Sequence, residues 1–153
     1  GQVVAAGTVE QLEAFAAKPP SRTRLFPLSV AGAFHTAHME PAVDHLREVA
    51  AAMPTTTPSV ALLSNLDGNV VTDGREFANR LVNQVAHPVR WDLCMDTMVE
   101  RSVTGLLELA PAGTLTGIAK RNLKGVELFN LNTPDQIPAA REFVAAHSSK
   151  ENA

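Results

Sequence analysis

The sequence contains no tyrosine and one cysteine, and aromatic residues fill only 5% of its 153 positions. Each scarcity excludes something. A lone thiol, Cys94, cannot close an internal disulfide, so a stapled secreted scaffold is excluded and a reducing, cytoplasmic setting is expected. With so few rings, a stacking platform for single-stranded nucleic acid is not expected. Basic charge is not in excess: 13 Lys and Arg stand against 16 Asp and Glu, for a formal net charge of −3. No basic block is present to follow a phosphate backbone, so nucleic acid is not expected as a partner. No apolar run approaches the ~18 residues of a membrane span, and no charged-then-apolar leader opens the sequence. No membrane association is expected.

What is present is a chain of about one domain's length, 45% apolar, with helical and strand-like stretches in alternation. The run from Gln2 to Gly7 reads as a strand, and Thr8 with Gln11 as a capping box opening a short helix over 9–17. Pro19 and Pro20 stop that helix. Thr23 to Val30 is rich in strand formers, with Pro27 restricting it to an edge or a bulge. A helix is expected from about Thr36 or Met39, with Val43, Leu46, Ala50 and Met53 on its buried face. Val60 to Ser64 reads as a strand covered on both faces, and Asn69 to Val71 as a minor strand between Asp-Gly turns. Helices follow at about 75–86 and 91–101, then a strand over 105–109, a helix over 114–123, a strand over 126–131 and a helix over 134–147. The alternation predicts parallel βαβ units, with a frayed tail from Ser148 to Ala153.

Few residues offer chemistry on their own. There is no G-x-S-x-G nucleophile elbow, and Gly113-Thr114-Leu115-Thr116-Gly117 lacks the Lys-Ser/Thr ending of a phosphate loop, so it reads as a tight strand-to-helix turn. His35, His38 and His45 would fall within about 80° of one another on one continuous helix. Ala31-Gly32-Ala33 places His35 ahead of the helix, however, and no metal site is expected. His38 and His45 read as solvated helix positions, and His87 and His147 as structural or exposed. His35 stands apart: it follows an apolar strand and a glycine turn and precedes a helix. An imidazole there lies near the positive end of a helix dipole, which favours a neutral general base.

The segment Ser29-Val30-Ala31-Gly32-Ala33-Phe34-His35-Thr36-Ala37-His38-Met39-Glu40-Pro41-Ala42 closely resembles the histidine segment of malonyl-CoA:acyl carrier protein transacylases. Four more segments match in order: Gly1 to Gly7, Leu62-Leu63-Ser64-Asn65, Leu81 to Val85 with Pro88-Val89-Arg90-Trp91, and Glu108 to Gly117. The likeness spans residues 1 to about 121 and is greatest to the actinobacterial enzymes of type II fatty acid synthesis. Ala110 departs from it, since the family usually has glycine before that proline.

The resemblance implies an α/β fold: the C-terminal part of an α/β-hydrolase-like acyltransferase domain over 32–153, plus the C-terminal half of a small ferredoxin-like subdomain over 1–31. It implies transfer of malonyl from malonyl-CoA to the phosphopantetheine thiol of acyl carrier protein, through a serine-bound acyl-enzyme and without a cofactor. His35 would be the catalytic base, oriented by the backbone carbonyl of Gln84. Only that main-chain oxygen is needed, so Gln84→Ala is expected to be mild and His35→Ala severe. A helix-surface role for Gln84 is the other reading.

Phe34, beside the base, is a candidate malonyl-selecting ring or else a core residue. Ser64 and Asn65 either support the site or satisfy a strand end, and Met39 reads as core. Arg90 matches a structural helix start and not the family's carboxylate-binding arginine. The family's elbow serine, that arginine and an oxyanion-hole glutamine belong to an N-terminal half with no counterpart in this sequence. That half is therefore expected as a partner, beside acyl carrier protein and a coenzyme A thioester. This chain alone should be inactive. A non-catalytic truncated half and an acyltransferase fragment of a polyketide synthase are the alternatives.

Overall fold

The computed structural model describes residues 3–148. In chain order the elements are α1 (Val9–Ala17), a 3₁₀ turn (Ala37–Met39), α2 (Glu40–Ala52), β1 (Leu62–Leu63), β2 (Val70–Val71), α3 (Gly74–Gln84) and α4 (Trp91–Glu100). They continue with β3 (Gly105–Leu109), α5 (Thr114–Asn122), β4 (Glu127–Leu131), a second 3₁₀ turn (Pro134–Gln136) and α6 (Ile137–His147). Contacts divide them into two compact units, one running to Leu66 and adding Val70–Val89, the other taking Asp67–Asn69 and the chain from Arg90 onward. None of the described helices is long and apolar enough to cross a membrane.

In the first unit, local signals set the helices. Thr8 and Gln11 form the expected reciprocal cap on α1, and the Asp73 carboxylate accepts from the Glu76 N–H at 2.7 Å to open α3. Arg75, in the first turn of α3, donates to the carbonyls of Ala50 and Met53 at 2.8 and 2.6 Å, closing the C-terminal end of α2. The strands expected over 3–7 and 23–30 are not formed, and Gln2 lies outside the described residues. A strand exists only through ladder bonds to a neighbour, and none is paired with these segments among the described residues. The third expected strand shortens to Leu62–Leu63, half-buried, and pairs antiparallel with Val70–Val71. The expected inward face of α2 is likewise not covered: Val43 and Ala50 are half-buried, while Leu46 and Met53 are exposed.

The second unit contains the parallel βαβ motif the alternation predicts. β3 and β4 pair in parallel, Gly105 opposite Glu127 through Leu109 opposite Leu131, with α5 as the crossover. Its core is Met95, Ala119 and Leu123, flanked by Trp91, Met98, Leu106 and Leu128. Gly113, at φ +133, turns the chain from strand to helix. The carboxylate of Glu108, at the end of β3, lies inside that turn. It accepts from the N–H groups of Gly113, Leu115 and Thr116 at 2.9, 3.0 and 2.8 Å. A side chain of this protein thus fills the N-terminal end of α5 where a bound anion would otherwise sit.

Candidate active site

His35 owes its position to the end of α3. The last carbonyls of a helix lack intrahelical partners, and two of them face this residue. The His35 N–H donates to the carbonyl of Val85 at 2.8 Å, and its ring Nδ1 lies 2.8 Å from the carbonyl of Gln84. A carbonyl only accepts, so Nδ1 carries the proton and Nε2 presents a lone pair. The backbone of His35 is held at φ +65, in the left-handed region that costs a non-glycine residue about 1 kcal/mol or more.

Thr36 secures the turn around that strained position. Its hydroxyl donates to the Ala33 carbonyl at 2.7 Å and accepts from the His38 N–H at 3.3 Å. The helix that follows departs from expectation. A single 3₁₀ turn over Ala37–Met39 intervenes, and α2 begins only at Glu40. The dipole of α2 fades within its first turn, so it is the end of α3, and not the start of α2, that governs the imidazole.

The other nominated residues fall as follows. Phe34 is half-exposed at 51%, beside His35 in sequence, with its ring against Gly32. Ser64 is buried and its hydroxyl accepts from the Leu66 N–H at 3.2 Å. Together with Asn65 and Gln84 it lines a cleft of about 40 Å³. His38 and His45 are exposed, and His87 turns its Nδ1 to the Asn83 carbonyl at 2.7 Å. Among the described residues no group of three or more His, Cys, Asp or Glu is arranged to hold a metal ion.

His147 lies in the second unit. Its ring bridges Thr104 Oγ1 at 2.9 Å and Glu127 Oε2 at 3.3 Å, and so fastens the last turn of α6. Two features of the His35 site had no signal strong enough to find them from sequence. They are the two hydrogen bonds of the Thr36 hydroxyl, one donated and one accepted, and the side chain of Gln84, whose Nε2 donates to the carbonyls of His87 and Pro88, both at 2.9 Å.

No protein-family model matches the chain. Curated relatives do. The malonyl CoA-acyl carrier protein transacylase of Mycobacterium tuberculosis strain H37Rv is 48% identical over 134 residues, 88% of this chain and 44% of that protein. The protein of the same name in Escherichia coli K12 is 35% identical over 145 residues, 94% of this chain and 47% of its own length. The crystal structure of MCAT from Mycobacterium tuberculosis superposes with a TM-score of 0.83 at 45% identity, covering 87% of this chain and 44% of that one. A further match, described as a type II PKS acyl-carrier protein in complex with its malonyl-transacylase, has a TM-score of 0.75 at 29% identity over 85% of this chain and 41% of that one. The chain is thus homologous to malonyl CoA-acyl carrier protein transacylases along most of its own length, and it spans a little under half of theirs.

Proposed function

We propose that this chain is the C-terminal part of a malonyl-CoA:acyl carrier protein transacylase of fatty acid biosynthesis, acting in the cytoplasm. On this reading residues 1–31 close a ferredoxin-like subdomain and 32–153 complete an α/β-hydrolase-like acyltransferase domain. The remaining polypeptide, corresponding to the portion of the relatives that this chain does not span, supplies the serine nucleophile. One observation carries the reading: an imidazole whose Nδ1 is tied to the Gln84 carbonyl at 2.8 Å, with Nε2 left free to accept a proton.

The chemistry follows from that geometry. Nε2 of His35 removes the serine hydroxyl proton as the oxygen attacks the malonyl-CoA thioester carbon. The imidazolium that forms keeps its Nδ1–H on the Gln84 carbonyl at the end of α3. When the carbon–sulfur bond breaks, the same nitrogen returns the proton to the departing coenzyme A thiolate. The second half runs in reverse. His35 deprotonates the phosphopantetheine thiol of the carrier, the thiolate attacks the acyl-serine, and the serine recovers its proton. Gln84 contributes its main-chain oxygen throughout, as the fixed acceptor that spares the imidazole a third carboxylate partner. Phe34, half-exposed next to the base, would on this reading meet the malonyl group, where its ring would crowd an α-methyl branch.

The test is malonyl transfer from malonyl-CoA to acyl carrier protein by the complete polypeptide. His35→Ala should lower kcat by roughly 10²–10⁴ while the protein keeps its thermal transition. Undiminished transfer by a folded His35→Ala protein would remove the proposal.

A further inference from the structure

The bond between Gln84 and His35 is only half of what Gln84 does. Its side chain, half-buried at the end of α3, turns forward along the chain, and Nε2 donates to the carbonyls of both His87 and Pro88 at 2.9 Å. Two carbonyl acceptors leave no choice over which end of the amide points there: only the nitrogen can donate. The main chain of the same residue closes the loop from the other side, since its carbonyl accepts the His87 N–H at 3.3 Å as well as His35 Nδ1. The turn tied in this way, residues 84–88, also carries the Val85 carbonyl that receives the His35 N–H. Both oxygens that hold His35 therefore project from one short segment, and the Gln84 amide spans that segment.

We infer that the Gln84 side-chain amide is a positioning residue for His35: by tying the turn after α3 it aims the Gln84 and Val85 carbonyls, and through them sets which nitrogen of the ring carries the proton. Neutral imidazole in water prefers its proton on Nε2, the nitrogen that must be bare to act as the base. The opposite tautomer persists only while an acceptor is held in front of Nδ1. A loosened turn lets the Gln84 oxygen swing away, and the ring then reverts to the form that cannot accept the serine proton. Gln84→Ala is accordingly not the mild change that a role for the main-chain oxygen alone would make it. The tautomer half of this inference stands on the geometry; its consequence for rate rests on the proposed transacylase reaction.

The experiment uses the longest polypeptide that contains this chain, labelled with ¹⁵N at histidine, at a pH well above the imidazole range. Ring ¹⁵N spectra identify the His35 tautomer, assigned by its disappearance in His35→Ala. The wild-type protein should show Nδ1–H. Gln84→Met keeps the length and removes the donor; it should shift His35 toward Nε2–H and lower kcat by on the order of tenfold with KM for malonyl-CoA nearly unchanged. Gln84→Glu, which sets a carboxylate against two carbonyls, should go further in both, and Gln84→Lys, with a donor restored, should recover part of each. A folded Gln84→Met protein that retains Nδ1–H overturns the inference, as does one whose tautomer shifts while kcat stays the same. Loss of the fold in Gln84→Met overturns it too, because the amide would then be holding the protein together and not aiming a ring. A wild-type protein with the Nδ1–H tautomer but no malonyl transfer overturns the proposed function alone.

Discussion

Glu108 shows how much one side chain can settle locally. Its side chain is buried, and burial by itself raises a carboxyl pKa. Three backbone N–H groups and the Thr116 hydroxyl outweigh that effect and hold it at about 2. The unfolded value is about 4.3, so the folded state prefers the ionised form. The stability this confers is complete above the unfolded value, begins to fade as pH falls below it, and is gone once pH passes through about 2. In urea unfolding, the wild-type protein should therefore exceed Glu108→Gln at neutral pH, and the gap should narrow steadily from about pH 5 downward. Parallel curves for the two proteins would show that the carboxylate is not what α5 folds around.

At this scale legibility was uneven for a physical reason. The Thr8 cap bonds three residues along the chain, so residue type and spacing suffice to see it, whereas Asp73, which caps α3 at the same spacing, reads from sequence only as a turn. The two hydrogen bonds of the Thr36 hydroxyl and the forward reach of Gln84 depend on φ and ψ in turns whose shape no periodicity encodes. His35 was legible through its flanking motif, whereas the φ of +65 that aims it was not.

Among the elements, α2 and α3 are joined by a contact that spacing could not predict. Arg75 brings a guanidinium to two carbonyls at the end of α2, 25 and 22 residues earlier in the chain. Charge-assisted bonds of this kind contribute about 1.5–3 kcal/mol when well shielded, and this pair is only partly so. Arg75→Ala should lower the unfolding free energy by about 1–2 kcal/mol, read from the urea midpoint. Arg75→Lys should recover only part of it, because one ammonium cannot fork to both oxygens.

Two glycines in helices should respond in opposite directions. Alanine has the better helix propensity by about 1 kcal/mol, yet at Gly74 its Cβ would fall 2.1 Å from the Thr56 carbonyl oxygen. Backbone cannot yield that far cheaply, and Gly74→Ala should be destabilising by about 1–3 kcal/mol. At Gly117, in α5, an added Cβ meets nothing within 4 Å, so Gly117→Ala should stabilise by about 0.5–1 kcal/mol. Thermal melts of the two variants decide both. The helices, including α1, were readable because caps and 3.6-residue periodicity are local. The segments 3–7 and 23–30 were misread because strand propensity is realised only beside a partner strand.

The scale of the whole molecule is where exposed apolar surface has to be explained. A parallel sheet is ordinarily covered on both faces by a longer run of strands and helices, but among the described residues β3 and β4 of the second unit pair only with each other. An apolar groove of about 410 Å³ lies open there, lined by Leu107, Leu109 and Leu131 on the strands and by Ile137, Ala140 and Val144 on α6. Leu109 is 65% exposed and Val144 50%. Relatives of this chain are about twice its length, since the residues they match make up 44–47% of them. On the proposed reading the remaining polypeptide lies against this groove, and a charge placed there becomes a discriminating probe. Leu109→Asp should cost the complete protein roughly 2–3 kcal/mol, because a packed leucine is lost and a carboxylate is forced against hydrocarbon. In the 153-residue chain alone, where that side chain already meets water, the same substitution should change stability by no more than ~0.5 kcal/mol. Urea unfolding of both lengths, with and without the substitution, measures the difference of differences. Equal losses in the two would mean that the groove stays open in the complete protein, and the assignment of this chain as one part of a larger acyltransferase domain would lose its structural support.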